Sequence, residues 1–309
     1  MSEKLWPRVP APPFPEDPGE EEAEEAPVRR PTWKLNLVLF LLTGVTTVVA
    51  GAIQQGVNPL ADPGQIYRGI PFSFTLLLIL GAHECAHFLV SRHHHLDVSL
   101  PYFLPAPPFP FIVGTFGAFI RIRAPLRNNH ALLDVGCSGP LTGVVVALPV
   151  LYIGLLHSQV RYSPGRGISG LVLGEPLFFK MVSWLAFGPL PEDAVVLLHP
   201  VAFAGWIGLL VTALNLLPVG QLDGGHVVYA LFPRHHRLIS LGSLGVLILL
   251  GLTLWYGWLV WAALLVLLGV RHPVPVDAWL PLDRRRRWVG GLTLLVFALS
   301  FTPVPLSLG

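Results

Sequence analysis

Residues 71–91 read PFSFTLLLILGAHECAHFLVS, an apolar run that is long enough to cross a bilayer as one helix. Within this run, His83 and His87 are four residues apart, so a helix places both imidazoles on one face, where they can bind one metal ion. Glu84 then lies beside the ion, in the position of a base that takes a proton from water. Ionisable side chains are unfavourable inside a membrane span, and three of them within five residues predict a functional site.

The composition of the whole chain is that of a polytopic membrane protein. Of the 309 residues, 53% are hydrophobic and only 12% are charged. The charges lie in loops, their net value is +2, and we expect no nucleic-acid partner. We predict an all-α fold in a lipid bilayer, with about seven transmembrane helices near residues 35–53, 71–91, 132–156, 195–217, 238–253, 257–270 and 288–302.

The N-terminal segment differs from the rest of the chain. Residues 1–33 contain many prolines and the acidic stretch 20–25, with little apolar surface to bury, which predicts a disordered tail. Because an acidic tail precedes the first apolar run, that run is predicted to be a transmembrane helix and not a secretory signal. Residues 34–305 are predicted to form one membrane-embedded domain.

A second polar segment follows the fourth predicted helix. Residues 215–226 read NLLPVGQLDGGH, and Pro218 with the glycines would interrupt a helix there. Asp223 places a carboxylate at the broken helix end, where it can serve as a third metal ligand. The same residue also fits a helix-terminating Asp-Gly turn. Beside a buried HExxH motif we favour the ligand.

The segment between the second and third predicted helices, residues 101–124, is too rich in proline to span a membrane as a helix. Its second half combines β-branched and aromatic residues with Gly114 and Gly117, which predicts a short hairpin or edge strand. Non-helical backbone at membrane depth requires protein or a water-filled cavity around it. A re-entrant element beside the active site and an interfacial loop both fit this sequence.

The distribution of Lys and Arg predicts the orientation of the chain. With the N-terminus inside, the inner loops carry fourteen of these residues and the outer loops carry four. The N-terminus is therefore predicted to be cytoplasmic. In this topology the HECAH helix and the Asp223 segment both approach the cytoplasmic side, so the two parts of the metal site meet at one membrane depth.

These motifs together resemble those of the site-2 protease family of intramembrane zinc metalloproteases. The resemblance rests on HECAH at 83–87, on the N-x-x-P-x-x-x-x-D-G segment that begins at Asn215, and on GTFGAF at 114–119. It extends over about residues 35–305, and the Pro-rich entry to the hairpin is similar to a branch with plastid and cyanobacterial members. We expect neither a PDZ domain nor a CBS pair, because no segment suits either.

The resemblance implies a catalytic core made of the second, third and fourth predicted helices, with Glu84 as the catalytic base. It implies one Zn²⁺ per chain, bound by His83, His87 and Asp223. Asn215 would hydrogen-bond the substrate backbone, and the edge that contains Gly114 and Gly117 would pair with an extended substrate segment. The implied substrates are transmembrane proteins, cut within or near their membrane segments as a form of regulated proteolysis.

Three other interpretations remain open. A prenyl-protein endoprotease also carries HExxH and would use a downstream glutamate as third ligand, here Glu175 or Glu192, both on the opposite side by the charge count. A zinc transporter would load its metal at the cluster 93–95, although we favour a solvated interfacial group of histidines as the explanation of that cluster. A catalytically silent scaffold would bind membrane partners without cleaving them.

The membrane itself is predicted to be the cytoplasmic membrane of a cell. The alternative, a plastid membrane, would require a transit peptide, and the N-terminal segment lacks the Ser-rich, acid-poor character of one. Oligomeric state is not predicted by any feature of the sequence.

Overall fold

The computed structural model describes residues 33–109, 111–123, 128–162, 170–191, 193–270 and 281–308, and everything said below about structure concerns these residues. The predicted tail lies outside them except for its last residue. The described part of the chain is mainly helical, with three small two-stranded sheets between the helices.

Nine α-helices follow one another along the described residues. They are α1 (Trp33–Gln54), α2 (Ile70–His93), α3 (Asn129–Leu156), α4 (Leu177–Phe187), α5 (Pro200–Asn215), α6 (Asp223–Leu231), α7 (His236–Thr253), α8 (Gly257–Leu268) and α9 (Arg284–Ser300). Four segments are long and apolar enough to cross a membrane: α1, α2 with the 3-10 turn before it, α3 and α7. Three others, α4, α5 and α8, are shorter apolar helices.

Five of the seven predicted spans agree with a helix to within three residues at both ends, namely those of α1, α2, α3, α7 and α8. The span predicted at 195–217 differs, because a strand occupies its first residues and α5 begins only at Pro200. Proline suits the first turn of a helix, where its missing N–H leaves no bond unmade. The last helix begins at Arg284, before the predicted 288, because the Asp283 side chain accepts a hydrogen bond from the Arg286 amide at 2.8 Å and caps it.

Three antiparallel strand pairs correct the all-α prediction. Strand β1 (Tyr102–Pro105) pairs with β2 (Thr115–Phe119) in the segment where a hairpin or edge strand was predicted. The other two pairs join distant parts of the chain. They are β3 (Gln159–Tyr162) with β5 (Ala194–Leu197), and β4 (Leu171–Leu173) with β6 (Leu306–Leu308).

Helix α3 lies at the centre of the described fold and packs against α2, α5 and α6. Small residues permit this close packing: a Cβ at Gly154 of α3 would lie 2.2 Å from the backbone nitrogen of Ala202 in α5. The large side chains that are almost fully buried around α3 include Phe72, Leu76, Ile79, Leu151, Trp206 and Leu209. The central helices therefore form a protein core, and not merely a set of parallel spans.

The outer helices have a different surface. Large apolar side chains are exposed along α1, α7 and α8, among them Leu41, Val45, Leu249, Leu252, Val260 and Leu267. A continuous apolar surface of this kind is unfavourable in water and suits contact with lipid acyl chains.

Candidate metal centre

Helix α2 brings two histidines of the HECAH motif onto its buried face. His83 and His87 are 3% and 6% exposed, and their Nε2 atoms lie 3.1 Å apart. This is the geometry that a four-residue spacing on a helix predicts. The two nitrogens point at the same small region between α2 and α3.

Asp223 reaches that region from the first residue of α6. Its Oδ2 atom lies 3.4 Å from Nε2 of His83 and 3.2 Å from Nε2 of His87. The chain turns back sharply before Asp223, where Gly220 has a positive φ of 57°. A Cβ at Gly224 would lie 2.0 Å from the Leu216 carbonyl oxygen, and one at Gly225 would lie 2.3 Å from the Gly220 carbonyl oxygen, so the turn requires both glycines.

The backbone of α3 fixes the orientation of one imidazole. Nδ1 of His87 donates a hydrogen bond to the Val135 carbonyl oxygen at 2.9 Å, and Ser138 Oγ donates to the same oxygen at 2.8 Å. When the proton is on Nδ1, Nε2 carries a free lone pair, and this lone pair faces His83 and Asp223. The α3 helix thus holds the tautomer of His87 that can bind a metal ion.

Two glycines of α3 make room for the imidazoles. A Cβ at Gly139 would lie 2.1 Å from Nε2 of His87 and 2.7 Å from Nε2 of His83, and one at Gly143 would lie 3.2 Å from Nδ1 of His83. Two small residues four positions apart in a helix permit a close approach of neighbouring helices. The structure shows that the groups approaching them are the two histidine rings.

The donor atoms suit a zinc ion. In a tetrahedral site with bonds of 2.0–2.1 Å, ligand atoms are about 3.3 Å apart. The three separations here are 3.1, 3.2 and 3.4 Å. Two imidazole nitrogens and one carboxylate oxygen form a donor set that zinc prefers. Within the described ranges, no other group of three or more His, Cys, Asp or Glu side chains has this convergence.

Two further predicted residues lie beside the three donors. Glu84 is 6% exposed, and its carboxylate faces the backbone amide of Ile120, the residue after β2. Nδ2 of Asn215 lies 3.3 Å from Nε2 of His83. The structure therefore brings a buried carboxylate and a side-chain amide to the same point as the metal-binding groups.

The predicted substrate-binding glycines have different surroundings. The Gly114 carbonyl oxygen accepts a hydrogen bond from Thr46 Oγ1 at 2.7 Å, and a Cβ at Gly114 would lie 2.5 Å from the Thr46 carbonyl oxygen, so this glycine permits contact between the hairpin and α1. Gly117 has a φ of 102° and open space around it. Substrate contact at both positions stays a prediction.

The histidine cluster at 93–95 belongs to a salt-bridge network at the end of α2. His94 Nε2 lies 2.9 Å from Asp134 Oδ2, and the guanidinium of Arg286 contacts both oxygens of Asp134, with Nη2 at 2.7 Å from Oδ2. The Arg286 amide and side chain also lower the pKa of Asp283 at the start of α9. In the described part of the chain, this cluster does not bring three metal-binding side chains together.

Sequence reasoning missed this network because its members are 40 and 152 residues apart. One signal was present, since Asp134 is a charged residue inside an otherwise apolar helix.

Comparison with known proteins defines the class of this membrane protein. The model of peptidase family M50 matches residues 71–254, which include the HECAH motif and Asp223. The chain belongs to peptidase family M50, and the predicted relationship to the site-2 proteases is confirmed.

Several plant proteins are similar to the chain. It is 29% identical over 261 residues to the probable zinc metalloprotease EGY1, chloroplastic, of Oryza sativa subsp. japonica. The aligned part is 73% of this chain and 44% of that protein. It is 28% identical over 317 residues to the Arabidopsis thaliana EGY1 protein, which covers 92% and 55%. It is 30% identical over 251 residues to the probable zinc metalloprotease EGY2, chloroplastic, of A. thaliana, which covers 77% and 42%. The chain spans about half the length of the curated relatives it matches.

Proposed function

We propose that this chain is an intramembrane zinc metalloprotease that hydrolyses peptide bonds within or near the transmembrane segments of other membrane proteins. The observation that carries the proposal is the convergence of His83, His87 and Asp223, with Glu84 buried beside them, among apolar helices. Membership of peptidase family M50 supports it, and so do the names of the plant relatives, which are probable zinc metalloproteases.

The proposed site holds one Zn²⁺ through His83, His87 and Asp223. The ion, when bound, supplies a Lewis acid that lowers the pKa of water and polarises a carbonyl group. Glu84 is the proposed general base: it takes a proton from the attacking water and returns it to the leaving amine nitrogen when the C–N bond breaks. The Asn215 amide is the proposed donor of a hydrogen bond to the substrate backbone.

The proposed substrate segment is extended when it is cut. A peptide bond in a membrane helix is hydrogen-bonded within the helix and shielded by side chains, so the helix must unwind before water can attack. An unwound segment can pair with the edge of β1–β2, where Gly114 and Gly117 lie, and the contact between Glu84 and Ile120 supports this location. We expect Gly, Pro or Asn near the cleaved bond, because these residues weaken a helix.

We propose that residues 34–305 form one membrane domain with seven spans, and that β1–β2 is a re-entrant element within it. The charge distribution supports a cytoplasmic N-terminus and an active site toward the cytoplasmic side. We propose the cytoplasmic membrane as the location. The plant relatives are named as chloroplastic, which makes a plastid membrane the alternative to test.

The test is cleavage of a tagged single-span reporter with a helix-breaking membrane segment, co-expressed with the wild type or with Glu84→Gln. Loss of a general base lowers a rate by about 10²–10⁴-fold, so only the wild type should give product. Bound zinc should remain at one ion per chain in both proteins. The control is Glu175→Gln, which changes an exposed glutamate and should leave cleavage unchanged.

Equal cleavage by the wild type and Glu84→Gln would contradict the role of Glu84. Loss of zinc and cleavage in Glu175→Gln would instead support the prenyl-endoprotease type of site. An absence of cleavage with zinc uptake into vesicles would replace the protease with a transporter.

A further inference from the structure

Helix α1 is apolar along most of its length, yet three of its polar side chains donate hydrogen bonds to the non-helical residues 100–109 and 111–114. All the acceptors are backbone carbonyl oxygens. The bonds run from Asn36 Nδ2 to Leu100 (2.9 Å) and Pro101 (3.0 Å), from Thr46 Oγ1 to Gly114 (2.7 Å), and from Gln54 Nε2 to Ile112 (2.6 Å).

These donors extend over most of the helix. Asn36 and Gln54 are separated by about 27 Å at 1.5 Å per residue. Ring packing adds to the contact, since Phe40 of α1 meets Phe103 of β1 edge to face with ring centres 5.0 Å apart. At membrane depth, lipid offers no donors to a free carbonyl, so loss of these side chains leaves polar backbone unsatisfied.

The segment that α1 holds is connected to the proposed catalytic base. Strands β1 and β2 are paired, with Leu104 opposite Gly117, and β2 ends directly before Ile120. The Ile120 amide faces the Glu84 carboxylate, and β2 packs against α2. The contacts therefore run from α1, through the hairpin, to the helix that carries Glu84.

We propose that Asn36, Thr46 and Gln54 are positioning residues. They hold the β1–β2 hairpin at a fixed position along the axis of α1. This position determines which peptide bond of a paired substrate faces Glu84. The statement about the substrate rests on the proposed protease function, whereas the statement about the hairpin concerns this chain alone. The two statements are tested separately.

The first test is hydrogen exchange of the hairpin amides, with the full chain in lipid nanodiscs. Thr46→Val keeps the shape of the side chain and removes the donor to Gly114. Its control is Thr43→Val on the same helix, because Thr43 donates to the Leu39 carbonyl of α1 itself, at 2.8 Å. We expect exchange at 102–104 and 115–120 to be about fivefold faster in Thr46→Val, the change that loss of one hydrogen bond brings, and unchanged in Thr43→Val. Equal exchange in both variants would overturn the proposal.

The second test maps the cleaved bonds by mass spectrometry, with purified protein and the reporter. We expect the wild type and Thr43→Val to cut at the same bond, Thr46→Val to cut at neighbouring bonds as well, and Thr46→Ser to restore the single site. A variant that is merely unstable would lower the amount of product without moving the cut.

The outcomes separate the two proposals. An unmoved cut in Thr46→Val, together with faster exchange, would overturn the role in substrate register and leave the protease function intact. No cleavage by the wild type would overturn the protease function and the register with it, while hydrogen exchange would still decide whether α1 holds the hairpin.

Discussion

Helices α2 and α7 are both apolar enough to cross a membrane, but the fold uses them differently. In the most apolar window of α2 and its preceding turn, 44% of residues are buried, against 22% in α7. Helix α2 carries His83, Glu84 and His87 on its buried face, whereas α7 exposes Leu249 and Leu252. Apolar character alone therefore identifies a membrane segment, and buried polar groups identify the segments that build a site.

The glycines of these two regions show the same contrast. On α3, Gly139 and Gly143 lie against the histidine rings of α2, so a side chain has no room there. On α7, Gly242 and Gly245 have no atom within 4 Å of an added Cβ. Gly139 and Gly143 are thus closely packed, whereas Gly242 and Gly245 are not. Close packing on α7 is found at Gly251, where a Cβ would lie 2.7 Å from the Leu259 side chain of α8.

The strongest test of this contrast is to replace one glycine by leucine in each region. Gly139→Leu should displace the His87 ring, because even a Cβ there would lie 2.1 Å from Nε2. We expect bound zinc to fall from one ion per chain to nearly none, and reporter cleavage to be lost with it. Metal analysis of the purified protein measures the first effect. Gly245→Leu is the matched control and should retain zinc, and an equal loss in both variants would contradict the contrast.

Removal of the metal should loosen the central region alone. Without a cation, the Asp223 carboxylate and the two imidazoles lose the charge that holds α6 to α2. After chelation we expect backbone amides near Asp223 to exchange several-fold faster, and those of α7 and α8 to remain unchanged. Added zinc should reverse the change. A uniform rise in exchange throughout the chain would show that the two regions unfold together.

A smaller effect is expected at the network beyond the metal centre. Asp134→Asn weakens the contacts to His94 and Arg286 that join α2, α3 and α9. These side chains are partly exposed, so we expect a loss of about 1 kcal/mol in the free energy of unfolding. Thermal melting in detergent should show a fall of about 2–4 °C. Asp97→Asn is the control, because its carboxylate is 60% exposed and lies 3.4 Å from Arg123, and it should change the melting temperature less.

The long helices could be predicted from the sequence because each is a sustained apolar run. Short apolar segments could not be assigned in the same way, since their length and composition fit both a strand and part of a helix. Residues 194–197 read AVVL, and the last three of them were placed in a predicted span, but all four pair with β3 instead. The pairing of β4 with β6 was also not predicted, because it joins segments more than a hundred residues apart.

In the candidate site, too, the features set by neighbouring residues could be predicted from the sequence, whereas contacts between distant residues could not. The spacing within HECAH places His83 and His87 on one face, and a broken helix end indicated Asp223. The Val135 carbonyl that orients His87 has no sequence signal, because any residue supplies a carbonyl oxygen. The Arg286 contact with Asp134 likewise depends on how α9 packs, which no local pattern specifies.

The separation of the metal-binding residues along the chain has a consequence for biosynthesis. His87 and Asp223 are 136 residues apart, so a ribosome making about 5–20 residues per second needs roughly 7–27 s to travel from one codon to the other. During that interval the nascent chain already contains the HECAH helix but not the third donor. In the proposed protease, the three-donor site therefore cannot form until α6 has been made, so the order of synthesis delays the onset of proteolysis.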